Sequence, residues 1–209
     1  MWLRSNDFED GAQIPGDNSL CIIDPEAHVT FSANKSPHLE WGDVPEGTKS
    51  FALLMIDVDV PSSGEDVNQE GREVPEDLPR TDFSHWVMVD IPADTRSFES
   101  GQFSDGVTEG GKPGLSGRPR EGVNDYTSWF EGDSTMGGTY KGYDGPCPPW
   151  NDSIVHHYHV RLHALDVPQL ELQGDFTAAD VQEAMEGHSL AEAVLVGLYT
   201  LNPRLAGSQ

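Results

Sequence analysis

Apolar residues in this chain come in short runs that alternate with polar ones. The stretch "SFALLMIDVDVP" (50–61) starts as an almost unbroken apolar run and ends in aspartates. "HWVMVDIP" (85–92) and "IVHHYHVRLHAL" (154–165) are mixed in the same way. A period of two bounded by Gly, Pro, Asn and Asp is a strand signal. It places strands at 21–23, 29–32, 50–58, 85–91 and 154–165. The connections are long and polar, with an acidic loop over 61–84 and a Gly/Pro-rich loop over 110–122.

Helical signals come only near the end. Thr177 with Asp180 three residues on reads as an N-cap with an acidic N3, and Gly187 reads as a stop. Ser189 with Glu192 reads as a capping box that opens a second helix towards Tyr199. Strands first, helices last and no βαβ alternation predict a mainly β fold. The expectation is one domain over 1–209, an antiparallel Greek-key-like β-sandwich of two sheets with a short C-terminal helical hairpin.

Strand parity adds chemistry, because residues two apart share a face. Phe51, Leu53 and Met55 then share a face with Asp57 and Asp59. His85 shares one with Val87, Val89 and Ile91. His156 and Tyr158 share one with Val160, Leu162 and Ala164. Three apolar rows thus turn polar at one end. If those ends meet, they line a pocket with a few convergent polar groups, a reasonable ligand site.

Charge narrows the partners. Thirty-six acidic residues against twelve basic ones give a formal net charge of −24 over 209 residues. Nucleic acid and anionic membrane surfaces are excluded as expected partners, since both require positive charge. The start of the chain reads as lacking a signal peptide, no stretch approaches the length of a membrane span, and the expected location is cytoplasmic. Cys21 and Cys147 are read as free thiols, being too few for a disulfide framework.

Several stretches also resemble the phosphatidylethanolamine-binding (Raf kinase inhibitor-like) family in its bacterial and archaeal branch. They are "SPHLEWGDVPEGTKSFALLMIDVDVP" (36–61), "HWVMVDIPADT" (85–95), "NDY" (124–126), "GYDGPCPPWNDSIVHHYHVRLHALD" (142–166) and "LAEAVLVGLY" (190–199). The resemblance implies a β-sandwich whose pocket binds a small anion, a phosphate or a phosphorylated head group. Carried over by position, the pocket would use Asp57, Asp59, His85, Gly145, Pro146, His156 and Tyr158. It further implies no catalysis and no cofactor, regulation of kinase or protease partners in some members, and homodimers. The family usually has proline between the two aspartates, where this chain has Val58. The segments 62–84 and 127–141 are extra and flank the pocket stretches.

In such a pocket an aspartate would hold one nitrogen of His85 or His156 and leave the other N–H for the ligand. Backbone N–H groups near Gly145 would add donors. Two other readings compete. One is a hydrolase using Cys147 and His156. The other is a metal site on the outward histidines of 156–163, with Arg161 in the row opposing a cation.

The acidic surface suits a high-salt interior, where counterions screen self-repulsion. The melting temperature is therefore expected to rise along a potassium chloride series; a flat or falling series would remove that reading.

Overall fold

The apolar run that opens the segment Ser50–Pro61 is continuous because both of its faces are covered. In the computed structural model, which describes residues 1–206, the strands are β1 (Trp2–Arg4), β2 (Ala12–Gln13), β3 (Cys21–Asp24), β4 (His28–Phe31), β5 (Leu39–Gly42), β6 (Ser50–Pro61), β7 (Arg80–Pro92), β8 (Ser97–Phe98), β9 (Arg120–Glu121), β10 (His156–Leu165) and β11 (Ser189–Tyr199). The helices are α1 (Tyr126–Trp129), α2 (Ala178–Ala184) and α3 (Pro203–Ala206). A six-stranded sheet runs β2-β11-β10-β6-β7-β9, and a three-stranded sheet runs β1-β5-β8. A separate hairpin pairs β3 with β4.

The protein is mainly β and antiparallel, as expected. Phe51, Leu53 and Met55 of β6 pack with Trp41 of β5, Phe98 of β8 and Cys21 of β3, which forms the core between the sheets. The alternate residues Ala52, Leu54 and Ile56 pack under α2 with Val181, Met185 and Phe176. After the β6–β7 hairpin the chain returns to lay β10 against the other side of β6. That return is the Greek-key-like step.

The expected helical hairpin is half right. Thr177 caps α2: its hydroxyl accepts from the Asp180 N–H, and the Asp180 carboxylate accepts from the Thr177 N–H. The second helix does not form. Residues 189–199 are β11, paired along β10 from His156–Tyr199 to Leu165–Ser189. Ala193, Leu195, Gly197 and Tyr199 are buried, with exposed or half-buried residues between them. Sheet pairing along one edge of β10 outweighs the helix propensity of an Ala/Leu/Glu segment, which amounts to tenths of a kcal/mol per residue.

Strand parity fails on β7 because the strand is bulged. Phe51 pairs with Ile91 but Leu53 with Met88, so β7 holds one extra residue there. Asp90 takes a positive φ of 59° at that point. A second extra residue follows, since Met55 pairs with Trp86 but Ile56 with Ser84. Each bulge reverses which residues face the core. Trp86 and Met88 therefore face the inter-sheet core, while Val87 and Val89 face α2. His85 is the extra residue of the second bulge and does not share the Val87–Val89 face.

The cysteines are not free thiols. Cys21 and Cys147 form a disulfide across a sequence separation of 126. Such a separation gives no local signal; the fold creates the proximity.

Candidate functional site

Asp57 of β6, His85 of β7, and His156 and Tyr158 of β10 line one cavity of about 120 Å³. The β10–β6 register puts Tyr158 directly beside Asp57. Phe83 of β7 and Tyr126 of α1 close the inner wall, and Trp129 stands at the mouth. Val60, Pro61, Gly64 and Val67 form another side, and Cys147, Pro148 and Pro149 form the rim.

His156 is clamped. Its Nδ1 lies 2.7 Å from Asp57 Oδ2 and its Nε2 lies 3.0 Å from Asp152 Oδ2. Arg80 meets Asp152 bidentately at 2.6 and 3.1 Å. Burial alone would pull the His156 pKa down, but Asp57 and Asp152 lift it from 6.5 to about 9. Burial also opposes the Asp152 charge, but His156 and Arg80 hold its pKa below the ordinary value. An imidazolium with both N–H groups engaged by carboxylates is the species these contacts select. Two carboxylates are matched by one imidazolium and one guanidinium, so the floor of the cavity is locally neutral.

His85 is different. Its Nδ1 donates to the Asp144 carbonyl at 2.9 Å. Burial pushes its pKa down, beyond what nearby Asp57 restores. The ring is neutral at pH 7, and its Nε2 makes no hydrogen bond among the described residues. Phe83, Tyr126 and Tyr158 surround it at centroid distances of 5.0, 5.4 and 5.1 Å. The Tyr158 hydroxyl is fully buried and has no hydrogen-bond partner. Burial, then the Asp57 charge and side-chain contact with Asp57, push it well above its ordinary pKa; Asp57 lies at the edge of hydrogen-bonding reach of the hydroxyl.

The other three expected site residues do not line the cavity. The Asp59 side chain accepts from the backbone N–H of His157, and its Oδ2 lies 2.7 Å from His157 Nδ1. A register shift between Asp57 and Val60 separates the two aspartates. Asp57 Oδ1 accepts from the Asp59 N–H at 2.9 Å, and Val58 packs towards the α2 side. The Gly145 N–H donates to Asn34 and is not free for a ligand. A Cβ at Gly145 would sit 2.4 Å from the Asn18 carbonyl, so glycine serves close backbone packing there. The Pro146 carbonyl accepts from the Leu20 and Cys21 N–H groups.

Sequence reasoning missed Asp152, Arg80 and Asp144. Asp152 sits inside the quoted 142–166 stretch, and Arg80 is one of only two cations in an acidic loop; both were weak signals. On the outward face, His157 is paired to Asp59, and His163 lies 3.8 Å from Glu192. Among the described residues no three His, Cys, Asp or Glu side chains are grouped to hold a metal ion. Cys147 has no thiol to act as a nucleophile, which removes the cysteine hydrolase. No described helix is long and apolar enough to cross a membrane.

This constellation can be compared with known proteins. The family model described as phosphatidylethanolamine-binding protein matches residues 4–200. The chain belongs to the phosphatidylethanolamine-binding protein family. A UPF0098 protein of Methanothermobacter thermautotrophicus is 36% identical over 199 residues, which cover 95% of this chain and 98% of the relative. The UPF0098 protein YbhB of Escherichia coli is 31% identical over 200 residues, covering 96% and 100%. Among solved structures, the homolog CT736 of Chlamydia trachomatis superposes with a TM-score of 0.64 at 26% identity over 95% of each chain. E. coli YbcL superposes with a TM-score of 0.63 at 24% identity, over 95% of this chain and 97% of that one.

The His156 clamp makes stability pH-dependent. Its folded pKa lies above the ordinary 6.5, so its contribution is complete below about 6.5 and is lost as pH rises through about 9. Asp152 is shifted down, so its contribution is present above about 3.8 and is lost on acidification. Urea midpoints measured across this range should fall on the alkaline side for the wild type. His156→Gln should lack that alkaline limb. A wild-type midpoint that stays flat up to pH 9.5 would contradict the clamp.

Proposed function

We propose that the protein is a non-catalytic binding protein whose cavity takes a small ligand by a phosphate-like or carboxylate group. The observation that carries this reading is the Tyr158 hydroxyl, fully buried and, among the described residues, with no partner in good hydrogen-bonding geometry, Asp57 being the nearest candidate. An unmade buried hydrogen bond costs about 1–3 kcal/mol, and a ligand atom removes that cost. His85 Nε2 is the second free group of the floor. The ligand head therefore accepts from Tyr158 and meets His85.

The neutral floor sets the form of the head. No unpaired cation lines the cavity, so a fully ionised anion gains little there. A phosphate monoester has a second pKa near 6. Its monoanion carries one P–O–H to donate to His85 Nε2 and oxygens to accept from Tyr158. A dianion or a carboxylate needs His85 protonated, so its binding takes up a proton. In either case affinity rises as pH falls from 8 to 6. The surface charge slows anion entry, which keeps affinity modest at low salt. His156 takes no part in contacting the ligand; it fixes Asp57 and the end of β10.

Phosphate and phosphoethanolamine titrations followed by histidine side-chain NMR test this. Saturable shifts at His85 are expected in the wild type and are lost in His85→Ala. Tyr158→Phe should bind about tenfold or more weakly, as expected for losing a hydrogen bond to a charged group. It should leave the urea midpoint unchanged or slightly raised, because the hydroxyl has no partner to lose. An unshifted His85 at tens of millimolar ligand would sink the proposal, as would wild-type affinity in Tyr158→Phe.

A further inference from the structure

The disulfide lies in the wall of the cavity, and its two sulfurs are unequally placed. Cys147 is half-buried and lines the cavity, while Cys21 is 4% exposed and does not line it. A small molecule inside the cavity thus meets Cys147 and not Cys21. Cys147 also begins the rim segment that organises the site. Pro148 and Pro149 follow it in the wall. Asn151 holds the flanking loop through its contacts with the Asn68 N–H and the carbonyls of Asp66 and Arg72. Asp152 holds His156 and Arg80.

On the other side of the bond is the β3–β4 hairpin, which pairs with neither larger sheet. Two strands alone are marginal in water, so attachment to the rim matters. Besides the disulfide there is the tip: His28 stacks on Trp150 at 3.8 Å, and its Nε2 lies 2.6 Å from Glu70 of the flanking loop. The hairpin is thereby fastened to the rim at its base by the disulfide and the Cys21 N–H to Pro146 carbonyl hydrogen bond, and at its tip by an exposed stack and ion pair.

We propose that Cys21–Cys147 is a thiol-addressable latch on the cavity, with Cys147 as a site of mixed-disulfide modification by small thiols. A thiolate RS⁻ entering the cavity attacks Cys147 Sγ. The RS–S bond forms, the Cys21–Cys147 bond breaks, and Cys21 leaves as a thiolate that takes a proton from water. A second RS⁻ converts the mixed disulfide to the Cys147 thiolate and RSSR. With the covalent link gone, the hairpin keeps only non-covalent ties, among them the Pro146 and Tyr199 hydrogen bonds at Cys21 and the His28 contacts at the tip, and the rim loosens around the cavity.

The test exposes the folded, oxidised protein at neutral pH to a small thiol, cysteamine, and to the same thiol attached to a large dextran. Samples are acid-quenched and the adduct is located by peptide mass spectrometry. Attack through the cavity puts the adduct on Cys147 and makes cysteamine at least about tenfold faster than the dextran conjugate at equal thiolate. Val67→Trp, which adds bulk to the cavity wall, should slow cysteamine by a similar factor. The amides of β3 and β4 should lose hydrogen-exchange protection in the reduced protein while those of β6 and β10 keep theirs. An adduct on Cys21, equal rates for both thiols, or a rate that climbs with urea as global unfolding does would overturn the latch. A phosphoethanolamine arm reports separately on the ligand reading. If Val67→Trp protects Cys147 and phosphoethanolamine does not, the latch stands and the ligand reading falls.

Discussion

His156 has a carboxylate on each ring nitrogen, and the cavity depends on that arrangement. An unpaired imidazolium is too costly to bury, and an unpaired Asp57 would be as well. Together with Asp152 and Arg80 they form a chain of alternating charge, Asp57–His156–Asp152–Arg80. That chain joins β6, β7, β10 and the rim segment at one point. It also pairs all four charges with one another, including the two that line the cavity. In the proposed function, recognition falls to two groups the chain does not use, the Tyr158 hydroxyl and His85 Nε2. The two aspartates of β6 are counter-ions to histidines of β10, Asp57 to His156 and Asp59 to His157.

The rim from Gly142 to Asp152 is where most of the constraints meet. Asp144 is fixed by Asn34, Asn124 and Lys112. Its carbonyl sets the tautomer of His85, and its N–H is bonded to the His85 carbonyl. Gly145 allows close passage beside Asn18, Cys147 ties in the hairpin, Asn151 carries the flanking loop and Asp152 completes the clamp. The prolines between them limit the conformations the rim can take. The β6–β7 connection and α1 are built onto the same frame: the connection supplies Gly64 and Val67, and α1 supplies Trp129.

The sequence made much of this legible. Alternation located β3, β4, β6, β7 and β10, and parity on β6 and β10 brought Asp57, His156 and Tyr158 to one place. It failed where backbone irregularity intervenes. The bulges in β7 turn His85 into the cavity while sending Val87 and Val89 the other way, and no residue type announces them. A bulge likewise parts Asp59 from Asp57. Residues 189–199 read as a helix because their local composition favours one, whereas the partner that makes them a strand lies some thirty residues earlier along the chain. The disulfide and the Arg80–Asp152 pair are long-range facts of the same kind, visible only once the strands are in register.

The central claim is that the two histidines hold opposite charge states for opposite reasons, one clamped by carboxylates and one buried against aromatic rings. Two-dimensional ¹H–¹⁵N NMR of the ¹⁵N-labelled side chains at neutral to mildly alkaline pH tests it most directly. The account predicts that His156 has both ring nitrogens protonated up to about pH 8.5, with slow solvent exchange, and that His85 is neutral with its proton on Nδ1. A His156 that titrates near its ordinary value of 6.5, or a His85 protonated at pH 7, would contradict it.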